Sequence, residues 1–309
     1  MTSTAAPPVP APARPAAPVR RARRHWRGWL FVAPFMLVFA LTFVAPVVYA
    51  FVLSLFRDQA FFGGTVFVGA DNYAQVLGDP KFWESFQRVL VFLAVQVPIM
   101  LLLALVAALA IDSARLHAAG FFRIVIFLPY AVPGVVAVLM WGYIYGDNFG
   151  LAANLNDLLG TTAIQPLSSS WMLPSIANIV TWEFVGYNML IFYSALRTVP
   201  GELYEAAAID GAGTFRTILA VKLPALRGAI VIATIFSIIG SFQLFNEPNI
   251  LRTLAPNVIT TYYTPNMYAY NLSFAGQQFN YSATIAIVMG VITAIIAYVV
   301  QLRGSRESL

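Results

Sequence analysis

The sequence predicts an all-α membrane protein that crosses the bilayer six times, and three observations predict it. Of its 309 residues 60% are hydrophobic and only 10% charged, whereas an ordinary soluble domain carries about 25% charged residues. Six apolar runs are each long enough for about 30 Å of hydrocarbon, which takes roughly 20 helical residues. None alternates polar and apolar residues as a barrel strand does, and a helix is the other way to pair every backbone group in lipid.

The spans are expected at Trp29–Leu55, Val89–Ile111, Ile124–Tyr145, Leu173–Leu196, Ala225–Phe245 and Ser282–Leu302. Ahead of them, residues 1–28 read as a disordered tail, rich in Pro and Ala and then basic from Arg20 to Arg27, where it anchors to lipid headgroups. The apolar run behind that tail is too long for a cleaved signal peptide. Spans one to three carry Pro34, Pro46, Pro98, Pro129 and Pro133, which membrane bundles tolerate as kinks, with Pro129 and Pro133 the candidate hinges.

Charge sets the sidedness. All but four of the 18 Lys and Arg residues fall in the tail, in the connections after spans two and four, and at the C-terminus; the exceptions are Arg57, Lys81, Arg88 and Arg252. Cationic loops stay in the cytoplasm, so both termini and the 197–227 connection are expected inside. Residues 29–303 form the membrane domain and 304–309 a short cytoplasmic tail. The net charge of +5 is thus a membrane signature and not a nucleic-acid one.

With no cysteine, disulfides, thiolate metal sites and cysteine nucleophiles are excluded. His25 and His117 lie beside arginines in polar segments, so no metal site and no catalytic residue is expected. A P-loop needs Lys followed by Ser or Thr after a Gly-rich turn, but Lys81 and Lys222 are followed by Phe82 and Leu223. An ATP-driven process here requires another subunit.

Inside the spans the charged residue is Glu183, a position that costs roughly 3 kcal/mol at the bilayer centre. Tyr187 and Asn188 follow about one turn later, so Glu183 either contacts a solute or is hydrated or paired with another helix. Span five carries Ser237, Ser241, Gln243 and Asn246, as solute contacts or as helix-packing groups. The outer loops 56–88, with Phe61, Phe62, Gly63 and Gly64, 146–172 and 246–281 are aromatic and polar, suited either to docking or to an interfacial belt. One intramembrane carboxylate and no visible repeat disfavour an ion-coupled secondary transporter; a purely structural scaffold is the third alternative.

The 197–224 connection is the most specific segment. Pro200 suits a first helical turn, Glu202 and Glu205 suit a helix N-terminal end, and Gly211 and Gly213 stop that helix; Thr214 then caps a second helix running to Pro224. The alanines at 206–208 leave a face that another backbone can approach closely. Glu205-Ala206-Ala207, three residues, Gly211, nine residues, then Val221-x-Leu223-Pro224 resembles the EAA motif of permeases in binding-protein-dependent ABC importers, with Val in place of Ile.

The wider chain resembles the maltose-type carbohydrate permeases, through Phe67-Val68-Gly69-Ala70-Asp71-Asn72-Tyr73, Gly120-Phe121-Phe122-Arg123, Phe127-Leu128-Pro129 and Gly186-Tyr187-Asn188-Met189. It departs after Asn246, where Leu251-Arg252-Thr253-Leu254-Ala255-Pro256 replaces a Gly-rich turn. The resemblance implies the type I importer permease fold in a bacterial plasma (inner) membrane. It also implies a heterodimer with a second permease, two ATPase subunits that use ATP and Mg, an extracytoplasmic solute-binding protein, and no cofactor on this chain. The solute is then a disaccharide or oligosaccharide, with glycerol phosphate or another polyol as the alternative. ATPase coupling falls to Tyr204, Glu205, Ala206, Ala207, Asp210, Gly211, Leu223 and Pro224, and substrate contact, by position, to Glu183, Tyr187, Ser237, Gly240, Ser241 and Leu244.

Overall fold

A computed structural model describes residues 27–59, 64–113 and 116–306. The tail through residue 26, Phe61, Phe62 and Gly63, Arg115 and the last three residues lie outside the described residues. The chain divides into two units, residues 1–48 and 49–309, each described by itself.

α1 (Arg27–Phe39) runs through a π turn, Ala40–Val44, into α2 (Ala45–Ser54), and the boundary between the units falls within α2. Pro46 accounts for the π turn: it has no N–H to give the Thr42 carbonyl, and the Ala45 N–H instead bonds five residues back, to Ala40. Phe35, Phe39 and Phe43 stack in series along this helix.

The second unit continues with a short antiparallel hairpin, β1 (Phe56–Asp58) and β2 (Thr65–Phe67), with Arg57 opposite Val66. The Phe67–Tyr73 segment singled out in the sequence leads from β2 into α3 (Asp71–Leu77). Its Asn72 amide donates to the carbonyls of Ser54 and Phe56 and accepts from Arg57 at 2.9 Å, while the Tyr73 hydroxyl meets Ser54 Oγ at 2.6 Å. These bonds fix the outer end of the first span to α3.

The remaining helices are α4 (Pro80–Ile111), α5 (Ala119–Phe127), α6 (Gly134–Ile144), α7 (Leu151–Leu159), α8 (Met172–Leu196), α9 (Gly201–Ile209), α10 (Thr214–Thr217), α11 (Leu223–Phe242), α12 (Asn246–Leu251), α13 (Pro265–Phe274) and α14 (Phe279–Arg306). Among the described residues five helical stretches are long and apolar enough to cross a membrane, and six if the bent pair α5–α6 counts as one span. Except for the β1–β2 hairpin, the all-α expectation holds.

Three boundaries need correction. The second span starts at Pro80, not Val89, because Asp79 caps it by accepting the Lys81 N–H at 2.9 Å. The third is no single helix: a 3-10 turn, Leu128–Ala131, and a bend of 96° separate α5 from α6. Val132, forced toward extended backbone by the Pro133 ring, has ψ 132° and breaks the run. The second loop helix neither is capped by Thr214 nor ends at Pro224. Gly213 is its N-cap, and α10 passes through a π turn, Ile218–Lys222, straight into α11. Pro224 lacks the N–H for the Ala220 carbonyl, and the Leu223 N–H bonds five residues back to Ile218, as at Pro46.

Three buried clusters hold the bundle. Toward the N-terminal end of α8, Met172, Ile176 and Ile179 meet Phe92, Val138, Leu251 and Met267. Phe82, Phe86 and Val89 of α4 meet Phe242 of α11 and Ile285 of α14. Near the C-terminal ends of α4 and α8, Ala104 and Ala108 of α4 receive Met189, Phe192 and Leu196 of α8, small residues permitting the close approach that membrane helices use instead of a hydrophobic driving force. Gly186 does the same between α8 and α5, since a Cβ there would lie 2.0 Å from the Ile126 carbonyl oxygen.

Candidate functional site

A cavity of about 390 Å³ lies between α4, the α5–α6 bend, α8 and the junction of α11 with α12. It gathers Tyr187, Ser237, Gly240, Ser241 and Leu244 from the sequence-predicted set. Each arrives by local necessity. Ser237 and Ser241 are one turn apart on α11, with the Ser241 hydroxyl donating to the Ser237 carbonyl at 2.8 Å. Gly240 beside them leaves open space, nothing lying within 4 Å of where a Cβ would stand. Leu244 follows the end of α11, its carbonyl accepting the buried Thr264 hydroxyl at 2.9 Å.

Glu183 is placed differently. It is buried but does not line the cavity; Oε1 sits 3.3 Å from the Cβ position of Gly134, the first residue of α6, and Oε2 has no partner among the described residues. A carboxylate at a helix N-terminus meets the positive end of the dipole, so its position fits helix pairing.

Sequence reasoning missed several walls. Tyr130, brought in by the bend between α5 and α6, stacks on Tyr187 with centroids 4.9 Å apart and 21° between planes, and meets Phe184 edge-on. Only the bend makes this possible, and the Pro129 and Pro133 flanking Tyr130 were its signal. Gln96 and Glu247 also line the cavity, beside Gln243 and Asn246 of the polar stripe noted on span five, and Gln96 bonds Thr181 at 3.3 Å. Glu247 is the charged residue among those lining it, and none of them is basic. Its carboxylate directly follows Asn246 in what reads as loop. The arrangement is an aromatic platform facing hydroxyl, amide and carboxylate groups, the usual composition of a small-molecule site.

A larger cavity of about 720 Å³ runs along the outer α4–α8 groove past Arg88, Asn178 and Tyr263. It holds none of the sequence-predicted residues, so the chemistry points to the smaller one.

The 197–224 loop is exposed along much of α9 and meets the bundle through Tyr204, whose ring lies 5.6 Å from Lys222 Nζ. Gly211 takes φ +72°, the Gly211 N–H bonds the Ala208 carbonyl and the Ala212 N–H bonds Ala207 at 2.9 Å, a left-handed C-terminal stop that L-residues resist. Glu205, Ala206 and Asp210 are exposed, as are Ile209 at 87% and Phe215 at 73%; Tyr204 and Ala207 are half-buried. Ile209 and Phe215 thus leave large apolar side chains uncovered on this loop. Leu223 and Pro224 sit at the head of α11, behind the π turn.

A polytopic helical bundle with a sugar-sized polar–aromatic cavity and an exposed helix carrying the Glu-Ala-Ala pattern is the arrangement of an ABC importer permease subunit. Comparisons with known proteins agree. No family model matches the chain. It is 31% identical over 287 residues to the lactose transport system permease of Rhizobium radiobacter, covering 91% of this chain and 94% of that one. It is 32% identical to the diacetylchitobiose uptake permease of Streptomyces coelicolor (82% and 77% covered) and 31% identical to the arabinooligosaccharides permease of Bacillus subtilis (90% and 88% covered). In fold it matches a solved bacterial ABC transporter for alginate import, with TM-score 0.79 over 92% of this chain and 96% of that one at 17% identity. The chain belongs to the permease subunits of sugar ABC transport systems, and is a transport subunit rather than an enzyme.

Proposed function

We propose that this chain forms one half of the translocation pathway for a neutral disaccharide or oligosaccharide, with the cavity around Tyr187, Ser237, Gly240, Ser241 and Leu244 as its solute-binding surface. The observation that carries it is the Tyr130–Tyr187 stack opposite a row of amide and hydroxyl groups in a cavity without a cation. Aromatic faces pack against sugar rings, and amides and hydroxyls replace the water around sugar hydroxyls. A glycerol phosphate needs a basic partner for its dianion, which these lining residues lack, so the neutral sugar is favoured. The relatives that take lactose, diacetylchitobiose and arabinooligosaccharides support the same class.

In this reading the membrane domain, residues 29–303, pairs with a second permease, and the 197–224 loop docks on one of two ATPase chains through the exposed face of α9. Those chains use ATP and Mg. A solute-binding protein delivers the sugar, as the fold neighbour solved with a pentasaccharide-bound periplasmic protein illustrates for alginate. The cationic inner connections support a bacterial inner membrane with both termini in the cytoplasm. Nucleotide-driven closure of the ATPases rocks the two permeases between inward-open and outward-open states.

The test is uptake of labelled lactose, maltose, trehalose and cellobiose by proteoliposomes holding the complete importer. ATP-dependent uptake of at least one, lost in Tyr187→Ala, is the expected result; uptake unchanged in both Tyr187→Ala and Tyr130→Ala places the solute elsewhere.

A further inference from the structure

Where α4 leaves the membrane, Asp112 forms the C-cap of the helix, and its Oδ2 accepts a hydrogen bond from Lys222 Nζ at 2.5 Å. Both side chains are largely covered, 12% and 14% exposed. On its other side the Lys222 ammonium stands 5.6 Å from the Tyr204 ring centroid. Three separate parts thereby meet at one cation: the end of α4, the π turn ahead of α11, and the half-buried face of the coupling helix α9.

The π turn sets how the coupling helix arrives at Lys222. One extra residue in a helical turn rotates everything before it by about 100° relative to a regular helix. Lys222 ends that turn and adjoins Leu223 at the head of α11 in helical backbone. Lys222 therefore keeps its direction from α11, and it is the upstream α9, with Tyr204, whose azimuth the turn fixes.

We propose that Asp112, Lys222 and Tyr204 form a clasp that holds the coupling helix in fixed register with the cytoplasmic ends of α4 and α11, so that movement of α9 is delivered to both transmembrane helices together. The three are positioning residues. They touch neither solute nor nucleotide, and act by keeping Glu205, Ala206 and Asp210 at a set distance from the spans they drive. The proposal rests on the coupling role of α9 given above. A covered ion pair is well suited to this, because removing one partner strands the other charge, so the two halves stay together or fail together.

The sequence contains no cysteine, which makes a single-site probe direct. A spin label on Glu202→Cys, an exposed α9 residue outside the coupling set, reports helix order in the assembled importer without any turnover. Asp112→Asn and Lys222→Met should each broaden the label's distance distribution to a partner label on α4 and reduce the lactose carried per ATP by about ten-fold, while the Asp112→Lys, Lys222→Asp exchange recovers both to within about two-fold. Tyr204→Leu, which removes the ring beside the Lys222 ammonium, should broaden the distribution and lower the ratio in the same way. A merely structural role would lower the amount of complex without changing the ratio of sugar to ATP. Single variants with wild-type label distances, or an exchange variant no better than either single, overturns the clasp. If wild type and all variants carry none of the four sugars while the label responds as described, the sugar reading falls and the clasp stands.

Discussion

Gly211 shows how much of the coupling loop rests on one backbone conformation. No atom lies within 4 Å of where its Cβ would be, so the whole cost of a side chain is the left-handed φ of +72°. Gly211→Ala should therefore cost about 1–2 kcal/mol in loop order, and Gly211→Asn much less because Asn tolerates that region. Hydrogen exchange of the Ala207 to Ala212 amides, fast in the alanine variant and near normal in the asparagine one, checks it; equal exchange in all three would show that the stop is set by docking instead. The same residue was readable from its spacing to Glu205. Glu183 was not: its charge in an apolar run drew it into the solute set, but only the fold reveals the α6 N-terminus beside it. Glu183→Ala should accordingly lower thermal stability while leaving the apparent affinity for sugar within about two-fold, whereas a large loss of affinity would return it to the binding surface.

At the scale of the element, the N-terminal end of α4 is anchored through one side chain, Asp79. Asp79 accepts hydrogen bonds from the hydroxyls of Tyr268 at 2.6 Å and Tyr281 at 2.8 Å as well as from its own helix. Burial alone would raise this carboxyl, but those hydroxyls with the Lys81 and Phe82 amides hold it below the usual range. Burial together with the Asp79 charge pushes the Tyr268 phenol above its ordinary value. The signs follow. The Asp79 contribution is present above the unfolded carboxyl pKa and is lost as pH falls through the lower folded one. The Tyr268 contribution is present below about pH 10 and is lost as pH rises further. Melting of the importer should be least pH-sensitive between these limits, and Asp79→Asn should lower stability near neutrality by about 1–2 kcal/mol. A variant melting curve superimposable on wild type at pH 7 would exclude the cap as a stabilising element. No spacing rule reaches across the nearly two hundred residues between Asp79 and Tyr268, so the cap was invisible in sequence. The helices themselves were legible because apolar length needs no partner to be recognised, and the α5–α6 bend was half legible: its prolines were noted, but their combined angle depends on how Val132 and Pro133 pack.

For the whole molecule the charge of the cavity wall bears on which solutes the proposed binding surface would admit. Glu247 is the acidic residue among those lining it, and its carboxyl offers a sugar acid no cationic partner. Glu247→Lys should improve competition by lactobionate against lactose uptake by about ten-fold while weakening lactose itself only modestly. Unaltered competition would assign charge selection to the partner permease or to the binding protein. The departure at Leu251–Pro256 also finds its place at this scale, with Leu251 fully buried and Leu254 within 2.6 Å of a Gly142 Cβ position. The segment packs into the outer core against α6, which a glycine-rich turn would leave unfilled.

The π turns ahead of Pro46 and Pro224 amount to one surplus residue each, carried inside an otherwise regular helix. A helix normally cannot lose a residue without turning every side chain upstream by about 100°. At 218–222 the surplus is already there, so deleting Ala220 leaves an unbroken span and spins only what precedes it. In the proposed coupling reading, α9 would then present a new azimuth to the ATPase chain while the cavity stayed as it is, so the angular setting between the two is held in the count of five residues.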